Sequence, residues 1–219
     1  MEGASALDVS MLKGHRVLNL DSEEEGILLA GCAGGSRMEI RLPVKRQYTE
    51  GKRAVLTLTG LQGGHSGTEI DKGRGNANIL LARVLSALQG EVHYRIVSLE
   101  GGEKDNAIPT WSRAELLVPF EKTYKLEEIC AVCGEELKKE YALTDPELQV
   151  QFQYGNETGG DAFDEKSTET SLALLLALPN GVQAMSKDIP GLVVTSLNLG
   201  IMRTDEKGLA LSYALRSSV

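Results

Sequence analysis

The sequence predicts an α+β fold, an antiparallel sheet with helices packed on one face. Three observations carry this. From Arg53 onward the elements run strand, helix, strand, strand, helix and then mainly strands. Leu80, Leu81, Val84, Leu85 and Leu88 recur at i, i+3 and i+4, the stripe of a helix with a buried face. Two apolar runs, Leu192 to Met202 and Leu209 to Leu215, flank the turn Thr204-Asp205-Glu206-Lys207-Gly208, a hairpin signal.

Taken in order, residues 1 to 14 read as loop with a short helical turn. His15 to Leu20 reads as a strand that delivers Asp21 at its C-terminal end, where ligands collect in α/β sheets. The acidic run Glu23-Glu24-Glu25 reads as a solvated turn, and Asp21 stands out as a hard oxygen ligand for a metal. Ile27 to Ala30 and Met38 to Leu42 are short strands, and Arg53 to Thr59 is a clearer one. It feeds Gly60-Leu61-Gln62-Gly63-Gly64-His65-Ser66-Gly67, a glycine-dense loop in which the backbone can turn tightly or approach a ligand closely. The striped helix follows, capped by Asn76 or Asn78 and stopped at Gly90. His93 to Leu99 and Ala114 to Val118 are strands around the loop that holds Asp105-Asn106-Ala107-Ile108-Pro109. A second helix spans Leu126 to Tyr141, with Cys130 and Cys133 as small core residues rather than a redox or zinc pair. After Pro146 comes a strand from Leu148 to Tyr154, a surface loop from Asn156 to Asp161, and a third helix from about Glu165 to Leu178.

With 42% apolar and 25% charged residues, the chain has an ordinary globular composition, and its 219 residues suit one large domain or two small ones. A net charge of −8 argues against a nucleic-acid partner, because phosphate contacts need clustered Lys and Arg. No apolar run approaches the ~18 residues of a membrane span. The start, Met1-Glu2-Gly3-Ala4, lacks the features of a signal peptide. Three cysteines, an odd number, fit a reducing compartment, so the expected location is cytoplasmic. The glycine loop is no P-loop, for His65 stands where the lysine belongs. Nor is there a G-x-S-x-G elbow for a serine nucleophile, and His65 and Ser66 are neighbours whose side chains point apart.

Four separated motifs occur together: Asn19-Leu20-Asp21-Ser22, Gly63-Gly64-His65-Ser66-Gly67, Asp105-Asn106-Ala107-Ile108-Pro109 and Leu215-Arg216-Ser217. The Gly75-Asn76-Ala77-Asn78 helix start, the Pro179-Asn180-Gly181-Val182 turn and the Thr195-Ser196-Leu197-Asn198 strand accompany them. The pattern resembles the aminoacyl-histidine dipeptidases (Xaa-His dipeptidases, carnosinase-like), which are co-catalytic zinc exopeptidases. The resemblance implies a zinc-binding α/β catalytic domain interrupted by a lid and dimerisation domain. It divides this chain into a partial catalytic segment at 1–42, a lid at 43–190, and closing strands at 191–219 that return toward the catalytic domain. Asp21 matches a zinc-binding carboxylate. His65 matches the lid histidine that stabilises the oxyanion, across the subunit interface in dimeric relatives. Asn106 matches a substrate-backbone contact, and Arg216 matches the clamp on the substrate carboxylate.

The chain departs from the family where water is activated. It has no His-x-Asp pair and no Glu-Glu pair ahead of Asp21, and only three histidines. The expectation is therefore a substrate-recognition lid segment of a zinc-dependent Xaa-His dipeptidase, homodimeric through the lid. Zinc is not expected to stay bound to this chain, which should be inactive by itself. The end straight after a strand favours an excised segment over a truncated relative. The alternative is a non-enzymatic dimerisation module.

Overall fold

The computed structural model describes residues 8, 10, 13–16, 26 and 31–218. The chain divides into two compact units, Met1–Cys32 and Ala33–Val219. In the first, the described backbone is turn and irregular, and Ser10 N donates to Asp8 Oδ1 at 2.9 Å. Asp21 and the strand expected at 27–30 lie outside the described residues, as does the strand expected at 15–20 from residue 17 onward.

The second unit is the predicted antiparallel sheet with its helices. The strands are β1 (Gly34–Leu42), β2 (Arg46–Glu50), β3 (Lys52–Thr59), β4 (Gly64–His65), β5 (Arg95–Gly101), β6 (Ala107–Ile108), β7 (Ser112–Val118), β8 (Gln149–Tyr154), β9 (Gly159–Phe163), β10 (Gly181–Met185), β11 (Val193–Asp205) and β12 (Gly208–Ser217). The helices are α1 (Ala77–Val92), α2 (Thr123–Glu140) and α3 (Glu165–Ala177). An eight-stranded sheet runs in the order β1-β12-β11-β5-β7-β3-β8, with β10 also paired to β11; β2-β9 and β4-β6 form two small ribbons.

Alternation explains which face is covered. In β3, Ala54, Leu56 and Leu58 point toward the helices and are buried, in one cluster with Leu116 of β7 and with Leu80, Leu81, Val84, Leu85 and Leu88 of α1. Leu126, Cys130 and Leu137 of α2 and Leu172 and Leu175 of α3 belong to that cluster too. The opposite face of the same strands mixes buried Val55 and Leu117 with ion pairs: Arg53 Nη1 lies 3.1 Å from Glu115 Oε2, and Arg113 also pairs with Glu115. A helix with an apolar stripe must bury it against the apolar face available, so the three helices collect on one side. Burying each leucine of the α1 stripe stabilises the fold by about 1.5–3 kcal/mol.

The core places the two cysteines of α2 as expected. Cys130 is buried and desolvation pushes its thiol up to about 12; Cys133 is half-buried and is raised for the same reason. The hairpin is also as expected, with Asp205 facing Gly208 across the β11–β12 turn.

Several local expectations are corrected. Gly90 does not stop α1, which runs on to Val92 and ends with His93 in the left-handed region at φ 52°. Histidine tolerates that conformation better than a β-branched residue would, and the tertiary contact of buried Val92 outweighs the propensity of Gly90. His93 is therefore a helix cap and not a strand start. The segment read as a surface loop from Asn156 to Asp161 runs into β9, which pairs antiparallel with β2 from Arg46↔Phe163 to Glu50↔Gly159. Neither strand is rich in β-formers, and their pairing is a tertiary event. The strand β1 begins at Gly34 and pairs with β12 over its whole length, Gly34↔Ser217 to Leu42↔Leu209. Among the described residues no helix is long and apolar enough to cross a membrane.

Candidate functional site

The loop between β3 and α1 is held at both ends by one buried carboxylate. Asp145, 1% exposed, accepts from Gln62 N and from Gly75 N, each at 2.8 Å. Inside this clamp, Glu69 is a second brace. Its Oε2 accepts from His65 N at 2.8 Å, and its Oε1 accepts from Lys72 Nζ at 2.7 Å and Arg74 Nη1 at 3.2 Å. The bond from Lys72, then that from the His65 amide, hold the Glu69 carboxyl down at about 2. Gly64, at φ 135°, is required here: a Cβ would lie 2.6 Å from Arg74 Nη1 and 2.8 Å from Glu69 Oε2. The result is β4, which lies antiparallel to β6 with His65 opposite Ala107.

His65 is half-buried, and its ring is oriented by its own loop. Nδ1 sits 3.3 Å from Gly67 N and 3.2 Å from Thr68 N, both donors. A neutral imidazole that accepts at Nδ1 carries its proton on Nε2. Nε2 faces Arg216 Nη2 at 3.4 Å, and Arg216 has only donors. The guanidinium lies against Gly67, where a Cβ would come within 2.8 Å of Nε. Arg216 Nε is buried and has no hydrogen-bond partner among the described residues. The guanidinium and the imidazole thus converge at one point. Such a pair suits a carboxylate or a developing oxyanion.

Asn106 is exposed on the loop before β6, and its backbone carbonyl accepts from Ser66 N at 2.9 Å. It is joined to His65 through backbone, and its side-chain amide has no hydrogen-bond partner among the described residues. Gly64, His65, Asn106, Ala107, Pro109 and Trp111 are among the residues that line an open cleft of 450 Å³. Arg216 is brought to this region by β12, where it faces Ser196 of β11. The structure therefore brings His65 and Asn106 to one cleft, and Arg216, which does not line it, reaches His65 alone. Asp21 lies outside the described residues, and among those described no three His, Cys, Asp or Glu side chains form a group that could hold a metal ion.

A network of asparagines lies beneath. Asn76 caps α1 by accepting from Asn78 N and Ile79 N at 3.1 and 3.3 Å. Its Nδ2 donates to Asn180 Oδ1 and Asn198 Oδ1, both at 3.2 Å. Asn198 Nδ2 donates in turn to the carbonyls of Asp105 and Ala107 at 3.0 and 2.8 Å. Asn76, Asn180 and Asn198 each belong to a motif legible in the sequence, but their meeting is not. Asp145 and Glu69 gave no signal of a role, because a lone carboxylate near a turn resembles any solvated one.

Comparison with known proteins agrees with this architecture. Residues 56–145 match the family described as the peptidase dimerisation domain. The chain is 36% identical over 222 residues to the cytosol non-specific dipeptidase of Escherichia coli (strain K12), an alignment that covers 100% of this chain and 45% of that protein. The crystal structure of aminoacylhistidine dipeptidase from Vibrio alginolyticus superposes with a TM-score of 0.87 at 36% identity, covering 99% of this chain and 44% of that one. The chain thus spans less than half the length of these relatives.

Proposed function

We propose, from the match of residues 56–145 to the peptidase dimerisation domain, that this chain is the substrate-recognition lid of a zinc-dependent dipeptidase acting on Xaa-His dipeptides. The observation that carries the reading is the approach of Arg216 Nη2 to His65 Nε2 at 3.4 Å, beside an Arg216 Nε that is buried and has no hydrogen-bond partner among the described residues. Arg216 pairs with the C-terminal carboxylate of a dipeptide, which is how an exopeptidase recognises a chain end. His65 donates from Nε2 to the oxygen that becomes negative during attack on the peptide carbonyl. Asn106 offers its exposed amide to the substrate backbone.

In this reading zinc would supply polarisation of the scissile carbonyl and activation of water, and Asp21 is the residue of this chain that the resemblance offers to hold it. Among the described residues no group of His, Cys, Asp or Glu fits a zinc centre, and Asp21, the ligand candidate of the sequence, lies outside them. The reading assigns the metals to the part of the relatives that this chain does not span, and expects the isolated chain to bind dipeptide without hydrolysing it. The domain division 1–42, 43–190 and 191–219 and a cytoplasmic location are parts of the same proposal.

Calorimetric titration with an Xaa-His dipeptide and with its C-terminal amide tests the reading. The free acid should bind more tightly than the amide, and Arg216→Ala should abolish the difference. Equal affinities for acid and amide in the wild-type chain would overturn the clamp. Zinc-dependent turnover by the purified chain would overturn its inactivity. In a protein that contains the whole enzyme, His65→Ala should lower kcat more than it raises KM.

The second reading, a dimerisation module without a substrate role, is favoured by the family match itself. Its surface would be the outer strand β8 with the adjoining α2, on which Tyr124 and Val132 are exposed. Light scattering would then show a concentration-dependent homodimer, while Xaa-His binding would be absent or indifferent to His65, Asn106 and Arg216. A dimer together with Arg216-dependent binding supports the lid.

A further inference from the structure

We propose that Asn198 is a positioning residue that aims Asn106 and fixes its distance from His65. The inference rests on the reading of Asn106 as a substrate contact. Asn198 stands on β11 opposite Ala214, two residues from Ser196, which faces Arg216. Strand alternation therefore puts Asn198 and Arg216 on one face of the sheet. Its side chain is 1% exposed and its hydrogen bonds run in both directions. Oδ1 accepts from Asn76 Nδ2 at 3.2 Å, which ties it to the capped end of α1. Nδ2 donates to Asp105 O and Ala107 O, the two carbonyls that flank Asn106.

A single amide group thus grips the chain on either side of Asn106. The Asn106 carbonyl, lying between, takes Ser66 N from the His65 loop. Close backbone packing supports the grip. A Cβ on Gly200 would lie 2.4 Å from Asp105 O, and one on Gly102 would lie 1.9 Å from Gly200 O. The loop is pressed onto β11 at the point where β11 shifts register against β12, between Leu199 and Ile201. Asn198 is too buried to touch substrate. It converts the rigidity of the central sheet and of α1 into a fixed direction for the exposed Asn106 amide. Both of its Nδ2 protons and one oxygen lone pair are used, which neither aspartate nor leucine of similar size could reproduce.

The experiment uses the 219-residue chain, with glycyl-histidine as the probe and NMR as the readout. Asn198→Asp keeps the shape and the oxygen toward Asn76 but sets a second oxygen against two carbonyls. It should weaken glycyl-histidine roughly tenfold, Asn106→Ala should weaken it to the same degree, and the double variant should show no further loss. Ser66 N–H should also lose exchange protection in Asn198→Asp. Additive losses, or a lowered Tm with wild-type affinity, would show a role in stability alone and overturn the proposal. If Asn106→Ala binds the probe as the wild type does, the substrate-contact reading of Asn106 fails. Positioning is then decided by exchange: unchanged Ser66 protection and unchanged resonances at 105–107 in Asn198→Asp overturn it, and their loss supports it. Should Asn198→Asp not fold, Asn198→Ser takes its place. In the wild-type chain the Asn198 side-chain amide protons should exchange far more slowly than those of Asn106, and equal rates would overturn the proposal.

Discussion

Replacing Asp145 with alanine should release both ends of the loop that carries His65. The carboxylate is 1% exposed and accepts from Gln62 N and Gly75 N at 2.8 Å each. A hydrogen bond to a charged partner contributes about 1.5–3 kcal/mol, and each amide left unsatisfied out of reach of water costs a similar amount. Two such bonds give an expected loss of about 3–5 kcal/mol, a large share of the ~5–15 kcal/mol that stabilises a typical domain. The Asp145→Asn variant keeps one accepting oxygen and turns an NH₂ toward the other amide, for a loss of about 2 kcal/mol. Urea unfolding followed by far-ultraviolet circular dichroism measures both. Amide exchange at Gln62 and Gly75 localises the effect, and both should exchange faster in Asp145→Ala. A loss below about 1 kcal/mol, the range of ordinary surface substitutions, would refute the clamp, as would unchanged exchange at the two amides.

Three other perturbations probe the site and the core. Gly67→Ala brings a Cβ to 2.8 Å from Arg216 Nε and 3.1 Å from His65 Cε1, so it should displace the guanidinium and weaken Xaa-His binding several-fold. The fold should survive within about 1 kcal/mol, since the end of a long side chain can move, and unchanged affinity by calorimetry would contradict the contact. Alkylation by iodoacetamide under native conditions should modify exposed Cys32 first, then half-buried Cys133, and last Cys130, whose thiol desolvation pushes up to about 12. Peptide mass mapping that finds Cys130 modified as fast as Cys32 would contradict its burial. Glu69, held at about 2 against its ordinary 4.5, stabilises the fold fully above 4.5 and loses that contribution as the pH falls from 4.5 toward 2. Glu69→Gln should therefore cost stability at about pH 6 and converge with wild type near about pH 2; a constant difference between urea midpoints would exclude the linkage.

Much of the fold was legible because it follows from local period. The α1 stripe of Leu80, Leu81, Val84, Leu85 and Leu88 reads directly as a buried helix face, and each of these residues is at most 1% exposed. The cap reads as Asn76 or Asn78 from their place before that stripe, and the structure selects Asn76; the β11–β12 hairpin reads from its turn residues. Chain-local signals failed where pairing partners decide the conformation. Gly159-Gly160-Asp161-Ala162-Phe163 has the composition of a loop, and it becomes β9 because β2 offers it a ladder. At Gly90 the sequence suggests a stop, yet burial of Val92 one half-turn on continues the helix.

The order of residues is enough to specify the class of fold, the helix faces, and a set of motifs each too short to be a site. The family resemblance singled out His65, Asn106 and Arg216, but did not show that Arg216 reaches His65. Arg216 and His65 are 151 residues apart, and it is the strand order β1-β12-β11-β5 together with the β4–β6 ribbon that brings them within 3.4 Å. The same holds for Asn76 and Asn198, 122 residues apart, and for Asp145 on Gly75, 70 residues apart. Hydrophobic periodicity records which side of an element leaves water. Buried polar groups must instead find hydrogen-bond partners wherever the folded chain supplies them, and those partners are specified by the tertiary fold.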